Sequence, residues 1–299
     1  MTRAGTVFVD TASPGQAQLA DAAVGLAVAC PLAGGTAEPV AAQAVEVLIQ
    51  AQTSTSPQRL VLRGGDLLRR PEALSLLALA RKVAPEVEVW TGAVAMARPE
   101  VAAAVRKAGA TAVGLPLYGD SAAAHDWLAG QPGHFQRTLK AVQVARAAGL
   151  QVVILAPVLR PTFRNLQGLM QKCLPAGVFG VRLLAPDGPD QPTHPLLVPH
   201  AMSGPHLRAA LTVAKAGKLA VWTWRLPPCI LGEFATSQSE ASPIAAGDTA
   251  VATDDLAYEY GPLCDQCSWH SRCPGISSAR AAGHGWVGLM PRQDGVTAS

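Results

Sequence analysis

The stretch Cys264-Asp-Gln-Cys267-Ser-Trp-His-Ser-Arg-Cys273-Pro-Gly275 carries the sharpest chemical signal in the chain. Two thiolates separated by two residues fit around one metal ion or one corner of a cluster. A third, after five more residues, reaches the same centre if the turn between them folds back. Cys229, whose approach is stiffened by Pro227 and Pro228, is the fourth candidate ligand. Four thiolates suit an iron–sulfur cluster, with zinc as the alternative. Unligated cysteines behave as small apolar residues, but four of the six cysteines gather from position 229 onward, with Trp269 and Arg272 offering a lid and a charge. His270 is a rival ligand; inside the turn it is better placed to hydrogen-bond to a ligand or to face solvent. Cys173 lies in an amphipathic stretch and reads as core.

Other candidates are weaker. Gly64-Gly65-Asp66 ends the apolar run Leu60–Arg63, where glycines let the backbone approach a ligand and Asp66 either faces a pocket or caps the following helix. His125 and Asp126 are sequence neighbours that rarely face each other, which points to an N-cap or surface role. Trp222 and Trp224 alternate along the last strand-like run and point to one side of it.

These residues need elements to place them. Strand-like runs recur at Val7–Asp10, Leu60–Arg63, Val87–Trp90, Ala112–Tyr118, Val152–Val158, Val178–Leu184 and Leu219–Trp224. Helical patterns lie between them: one over 38–50 with Val40, Ala44, Val47 and Leu48 on one face, one over 71–83 with Leu74, Leu77 and Ala78, and one beginning at Pro205. Such alternation marks βα units on a parallel sheet, closed into a full or partial barrel or opened into a doubly wound sheet. After Trp224 the rhythm stops. This predicts a barrel over residues 1–225 and a cysteine-containing, mostly irregular extension over 226–299.

With 49% hydrophobic and 15% charged residues, the chain can bury a substantial core. The net charge of +3 is scattered rather than drawn into a basic stripe, which argues against nucleic acid as a partner. The longest apolar stretch, 22–35, is too short to span a bilayer. A cytoplasmic chain with a metal or cluster is therefore expected.

In their order, these motifs resemble the radical S-adenosylmethionine superfamily. Gly64-Gly65-Asp66 sits where that family has Gly-Gly-Glu, Thr91-Gly92 where it has Thr-Asn-Gly, and Leu117-Tyr-Gly119 with His125-Asp126 where it has a strand and an aspartate-bearing loop. The segment 135–149, then 152–160 and Asn165, continues the match. Cys264, Cys267 and Cys273 with Pro274-Gly275 resemble the C-terminal motif of members with an auxiliary cluster in a SPASM- or twitch-like extension. The resemblance implies a partial (βα)6 barrel in which Gly64, Gly65, Asp66, Thr91 and Asn165 lie at the S-adenosylmethionine site.

The chain departs from the family at one place. The family's Cys-x3-Cys-x2-Cys belongs in the loop after the first strand, and no such motif occurs in this sequence. One alignment puts Gly15, Leu19 and Ala22 at its positions; the other puts Ala23, Ala27 and Cys30 there. Neither holds a four-iron cluster with an open iron, and Asp66 in place of glutamate weakens the methionine site. The expectation is a degenerate member that no longer cleaves S-adenosylmethionine and acts by binding, presenting a peptide or supporting an active relative. The alternative is an enzyme using other chemistry in a mouth lined by Asp66, Thr91, Asp120, Arg160 and Asn165. A third reading is a structural barrel with a zinc-stabilised tail.

Overall fold

Seven short apolar segments form one parallel sheet because each is followed by helix or loop that returns the chain to the same end of the next strand. The computed structural model describes residues 6–10, 41–54, 56–63, 66–186, 195–236, 258–273 and 275–293. The order runs β1 (Thr6–Asp10), α1 (Ala42–Ala51), β2 (Arg59–Arg63), α2 (Ala73–Val83), β3 (Glu86–Trp90), α3 (Ala93–Met96), α4 (Pro99–Lys107) and β4 (Ala112–Pro116). It continues with α5 (Ala122–Ala129), α6 (His134–Ala147), β5 (Gln151–Pro157), α7 (Leu166–Ala176), β6 (Gly180–Leu184), α8 (His200–Ala216) and β7 (Ala220–Trp224). The strands lie side by side in chain order, so the sheet curls as a partial barrel with β1 and β7 at its edges. This is the α/β partial barrel expected from the alternation of strands and helices.

Each strand shows two faces, because successive side chains point to opposite sides. Leu60, Leu62, Val87, Val89, Val113 and Ile154 belong to the outer core under the helices. Val61, Trp90, Val153, Leu155 and Trp224 form a separate inner cluster with Trp222 against it. Trp222 and Trp224 therefore share the barrel interior, as their alternation predicts.

Three helix readings change. In α1 the buried residues are Val45 and Ile49, while Val47 is 63% exposed. Apolar residues occur on more than one face of this stretch, so periodicity alone did not choose the side that meets β1 and α2. In α2, Leu76, Leu77 and Ala80 are buried and Leu74 is largely exposed, for the same reason. Helix α8 begins at His200, with Pro205 inside it. Pro205 is its sixth residue, in the second turn, so the helix forgoes the bond an amide there would make to the Ala201 carbonyl.

Beyond β7 the chain forms the short helix α9 (Pro228–Leu231), then β8 (Tyr258–Glu259) paired antiparallel with β9 (Ile276–Ser277), and α10 (Ser278–His284). Gly275 precedes β9 with φ +89, and a Cβ there would fall 2.1 Å from the Glu259 carbonyl oxygen, so only glycine lets the two strands meet. Among the described residues no helix is long and apolar enough to cross a membrane.

Candidate metal centre and barrel mouth

Cys229, Cys264, Cys267 and Cys273 all line one cavity, which also takes in Trp269 and Trp286. The three tail cysteines sit on consecutive tight turns. Cys264 opens the 3-10 turn Cys264–Gln266, Cys267 ends it, and Cys273 follows the next turn, His270–Arg272. Cys229 is carried into the same cavity by α9, which follows β7 through Pro227 and Pro228. The cavity encloses about 500 Å³ including its open mouth.

Three of the sulfurs accept backbone N–H groups: Cys264 from Gly261 at 3.2 Å, Cys273 from Gly275 at 3.4 Å and Cys267 from Arg292 at 3.3 Å. N–H groups aimed at sulfur favour the thiolate, which is the form that binds metal. Burial, reinforced by the charges of Cys273, Cys264 and Cys267, pushes the Cys229 thiol up to about 12. Burial is also the main reason Cys273 lies above its ordinary range. Among the described residues no three His, Cys, Asp or Glu side chains are gathered as they would be around a single ion. The four thiols stand instead around the walls of a wider space.

His270 lines the same cavity, with its ring 4.2 Å from that of Tyr260 and its Nε2 3.8 Å from Asp265. Tyr260 donates its hydroxyl to the Cys273 carbonyl at 2.7 Å and so ties the turn to β8. Sequence reading missed Arg292. Its guanidinium lies 4.6 Å from the Trp269 ring centre and donates to the Gly232 carbonyl, while its backbone serves both Cys267 and Ser268. No local motif marks a residue that reaches its partners from 25 and 60 positions away.

At the carboxyl ends of the strands, Asp66 accepts a hydrogen bond from the Thr91 hydroxyl and another from the Leu68 amide at 3.3 Å, capping the turn Leu67–Arg69. Burial raises its carboxyl above the ordinary 3.8 despite these bonds. Asn165 donates to Asp120 at 3.1 Å, and Arg160 donates to the Leu197 carbonyl at 3.1 Å. Asp66 with Thr91, and Asp120 with Asn165, thus form two polar pairs at strand ends. Gly64 and Gly65 lie outside the described residues, as do both stretches aligned with the missing three-cysteine motif.

The surface reading of His125 is corrected by the structure. Its side chain is fully buried, with Nδ1 accepting from the Tyr118 amide at 3.0 Å and Nε2 2.8 Å from His134 Nδ1. Asp126 takes the capping role, accepting from the Gly133 and Phe135 amides at 2.6 Å each at the start of α6. Cys173 is buried in α7, and burial pushes its thiol up to about 12.

The barrel architecture is shared with radical S-adenosylmethionine enzymes. Native anSMEcpe with bound AdoMet and Cp18Cys peptide matches with a TM-score of 0.55 at 13% identity, over 72% of this chain and 62% of that one. A radical SAM methyltransferase from Sphaerobacter thermophilus matches with a TM-score of 0.51 at 12% identity, over 74% and 66%. SuiB of Streptococcus suis bound to the precursor peptide SuiA gives 0.51 at 12%, over 62% and 42%. In sequence, an AdoMet-dependent heme synthase of Methanosarcina barkeri is 30% identical over 134 residues, 43% of this chain. The chain aligns with only 37% of that relative's length. No protein-family profile matches. The fold is the partial barrel seen in radical SAM enzymes.

Proposed function

We propose that this protein keeps the radical SAM barrel but not the cluster that cleaves S-adenosylmethionine, and that it acts as a binding or accessory protein with an iron–sulfur cluster in its C-terminal extension. One observation carries the cluster: four thiols from two separate segments surround a single cavity, and three of them accept backbone N–H groups. A tetrahedral zinc site with bonds of about 2.3 Å would draw the sulfurs close together. An iron–sulfur cluster takes four thiolates, the number that lines this cavity. Cys229, Cys264, Cys267 and Cys273 would be its ligands, and the group, once bound, would supply electron transfer or a structural brace. Tyr260 and Arg292 hold the turns that present the cysteines, and Trp269 limits water at the cavity wall. The domain boundary falls near residue 226, so the cluster would tie the extension to the end of the barrel through Cys229.

Loss of S-adenosylmethionine cleavage is inferred from the sequence, which lacks the three thiolates needed after β1. A peptide or an active radical SAM relative is the proposed partner. Support for a peptide comes from SuiB and anSMEcpe, whose structures hold peptides. A second reading, an enzyme with other chemistry in the mouth, is favoured by Asp66, a carboxyl raised by burial and bonded to Thr91 at strand ends.

Iron, sulfide and zinc analysis of anaerobically purified protein tests the cluster. Iron and sulfide in equal amounts are expected, with both lost in Cys264→Ser. Stoichiometric zinc without sulfide would overturn the cluster. A parallel assay for 5′-deoxyadenosine should stay at background, and clear turnover would refute the accessory reading.

A further inference from the structure

The four cysteines belong to two different pieces of the fold. Cys229 is carried by the barrel: it lies on α9, just after β7, and Arg208 of α8 holds α9 by donating to the Ile230 carbonyl at 2.8 Å. Cys264, Cys267 and Cys273 belong to the extension. How well the four thiols face one cavity therefore depends on how firmly the extension is seated against the barrel.

A buried anchor of that seating is Arg280 of α10. Its residue is 3% exposed, and its guanidinium donates to the Val198 carbonyl at 2.8 Å and to the Pro186 carbonyl. Pro186 lies two residues beyond the end of β6, and Val198 two residues before the start of α8. A guanidinium carries several donors in a fixed fork, so it can hold two carbonyls at once. Arg280 thus clasps together the two ends of the β6–α8 connection from the side of the extension. Arg160 holds the same connection from the side of the barrel, its amide donating to the Leu196 carbonyl at 2.8 Å and its Nε to the Leu197 carbonyl at 3.1 Å. The connection leaves the carboxyl end of β6, and such strand ends form the mouth of a barrel of this kind.

The path from the thiols to this clasp is short. Seven positions separate Cys273 from Arg280. Between them the Gly275 amide donates to Cys273 Sγ, Ile276 and Ser277 pair with Glu259 and Tyr258, and the buried Ser277 side chain accepts from the Arg280 amide at 3.3 Å to cap α10.

We propose that Arg280 is a positioning residue for the cysteine site and that, through it, the site is coupled to the barrel mouth. Seating Arg280 brings three thiols towards Cys229 before metal arrives, and a metal that joins the two pieces in turn tightens the clasp on the β6–α8 connection. The coupling is reciprocal: the factor by which the clasp strengthens metal binding is the factor by which metal strengthens the clasp. The inference rests on the reading that these four cysteines hold a metal or cluster.

The test uses the full chain, stripped of metal anaerobically, with cadmium as a soft, thiolate-seeking probe. Cadmium affinity is read from the cadmium–thiolate absorbance. The clasp is read by NMR from hydrogen exchange of the Arg160 amide, whose bond to Leu196 reports on the connection. Cadmium should slow that exchange at least about fivefold, and by more than it slows the Phe135 amide, which is bonded to Asp126. Arg280→Met, which keeps an apolar stem and loses the donors, should weaken cadmium at least about fivefold and abolish the selective slowing. Arg280→Lys, able to hold one carbonyl, should fall between the two. The comparison of parent with and without cadmium decides the matter even if Arg280→Met does not fold. Cadmium bound by the parent with no change at Arg160, with equal slowing at Arg160 and Phe135, or with undiminished affinity in Arg280→Met overturns the coupling and leaves the cysteine site standing. A parent that binds no cadmium removes both.

Discussion

Arg182 on β6 and Glu88 on β3 form an ion pair inside the barrel, both side chains wholly shielded from solvent. Trp90 donates its indole N–H to the same carboxylate at 2.7 Å, and the Arg182 guanidinium lies 5.7 Å and 5.2 Å from the ring centres of Trp90 and Trp222. Arg59 adds a more distant contact at 3.7 Å. The interior of this barrel is thus a charged pair wrapped in aromatic rings.

Glu88→Ala should destabilise the fold by about 3–5 kcal/mol, since it removes a buried carboxylate that both the Arg182 guanidinium and the Trp90 indole N–H bind. Replacing both partners, Glu88→Leu with Arg182→Met, should cost clearly less. Urea denaturation of the two variants decides between these outcomes; equal losses would show that the pair is not coupled.

Gly180→Ala should cost about 1–3 kcal/mol through overpacking. A Cβ at that position would fall 2.3 Å from Cζ3 of Trp222 on the neighbouring strand. Combined with Trp222→Ala, the glycine substitution should lose part of its effect, the rest coming from the Ala220 carbonyl oxygen 2.9 Å from that Cβ, giving a favourable coupling energy in a double-mutant cycle. Strict additivity would contradict the packing described.

Acid should weaken the α5–α6 region through His125 and His134. The geometry gives His125 an unprotonated Nδ1 facing the Tyr118 amide and an Nε2–H donating to His134. Burial, aided by the charge of His134, holds His125 down to about 3 from 6.5. The unfolded chain therefore binds this proton more readily than the folded one. The stabilising contribution is present above pH 6.5 and is lost as pH falls toward 3. Stability measured across that window should rise with pH, and His125→Gln should flatten the dependence while lowering stability at pH 7.

Asp66 should have the opposite sign. Its carboxyl is raised by burial, so the folded state holds the proton more tightly, and the contribution to stability declines as pH rises from 3.8 through the raised value. Asp66→Asn keeps a cap for the Leu68 amide and mimics the protonated acid. Chemical denaturation should find it at least as stable as the parent at pH 7, with the advantage gone near pH 3. A large loss at neutral pH would show that the ionised form is the one the fold requires.

The strand–helix alternation, the number of strands and the shared side of Trp222 and Trp224 were legible in the sequence, because periods of 2 and 3.6 residues record which side chains must leave water; periodicity left the spatial order open between a barrel and a doubly wound sheet, and the structure decided it. The spacing of Cys264, Cys267 and Cys273 was legible too; the structure sets them with Cys229 along one cavity, without gathering three of them around a single ion among the described residues. What the tertiary structure decided is everything that joins distant positions. It alone gave Glu88 its partner 94 residues away, placed Arg292 against Cys267 and Gly232, and buried His125, which reads in sequence as polar. It also chose Val45 and Ile49 over Val47 as the inner side of α1. Local pattern fixes the faces an element offers; only the closing of the sheet and its helices around one another selects which face is covered and which polar groups meet inside.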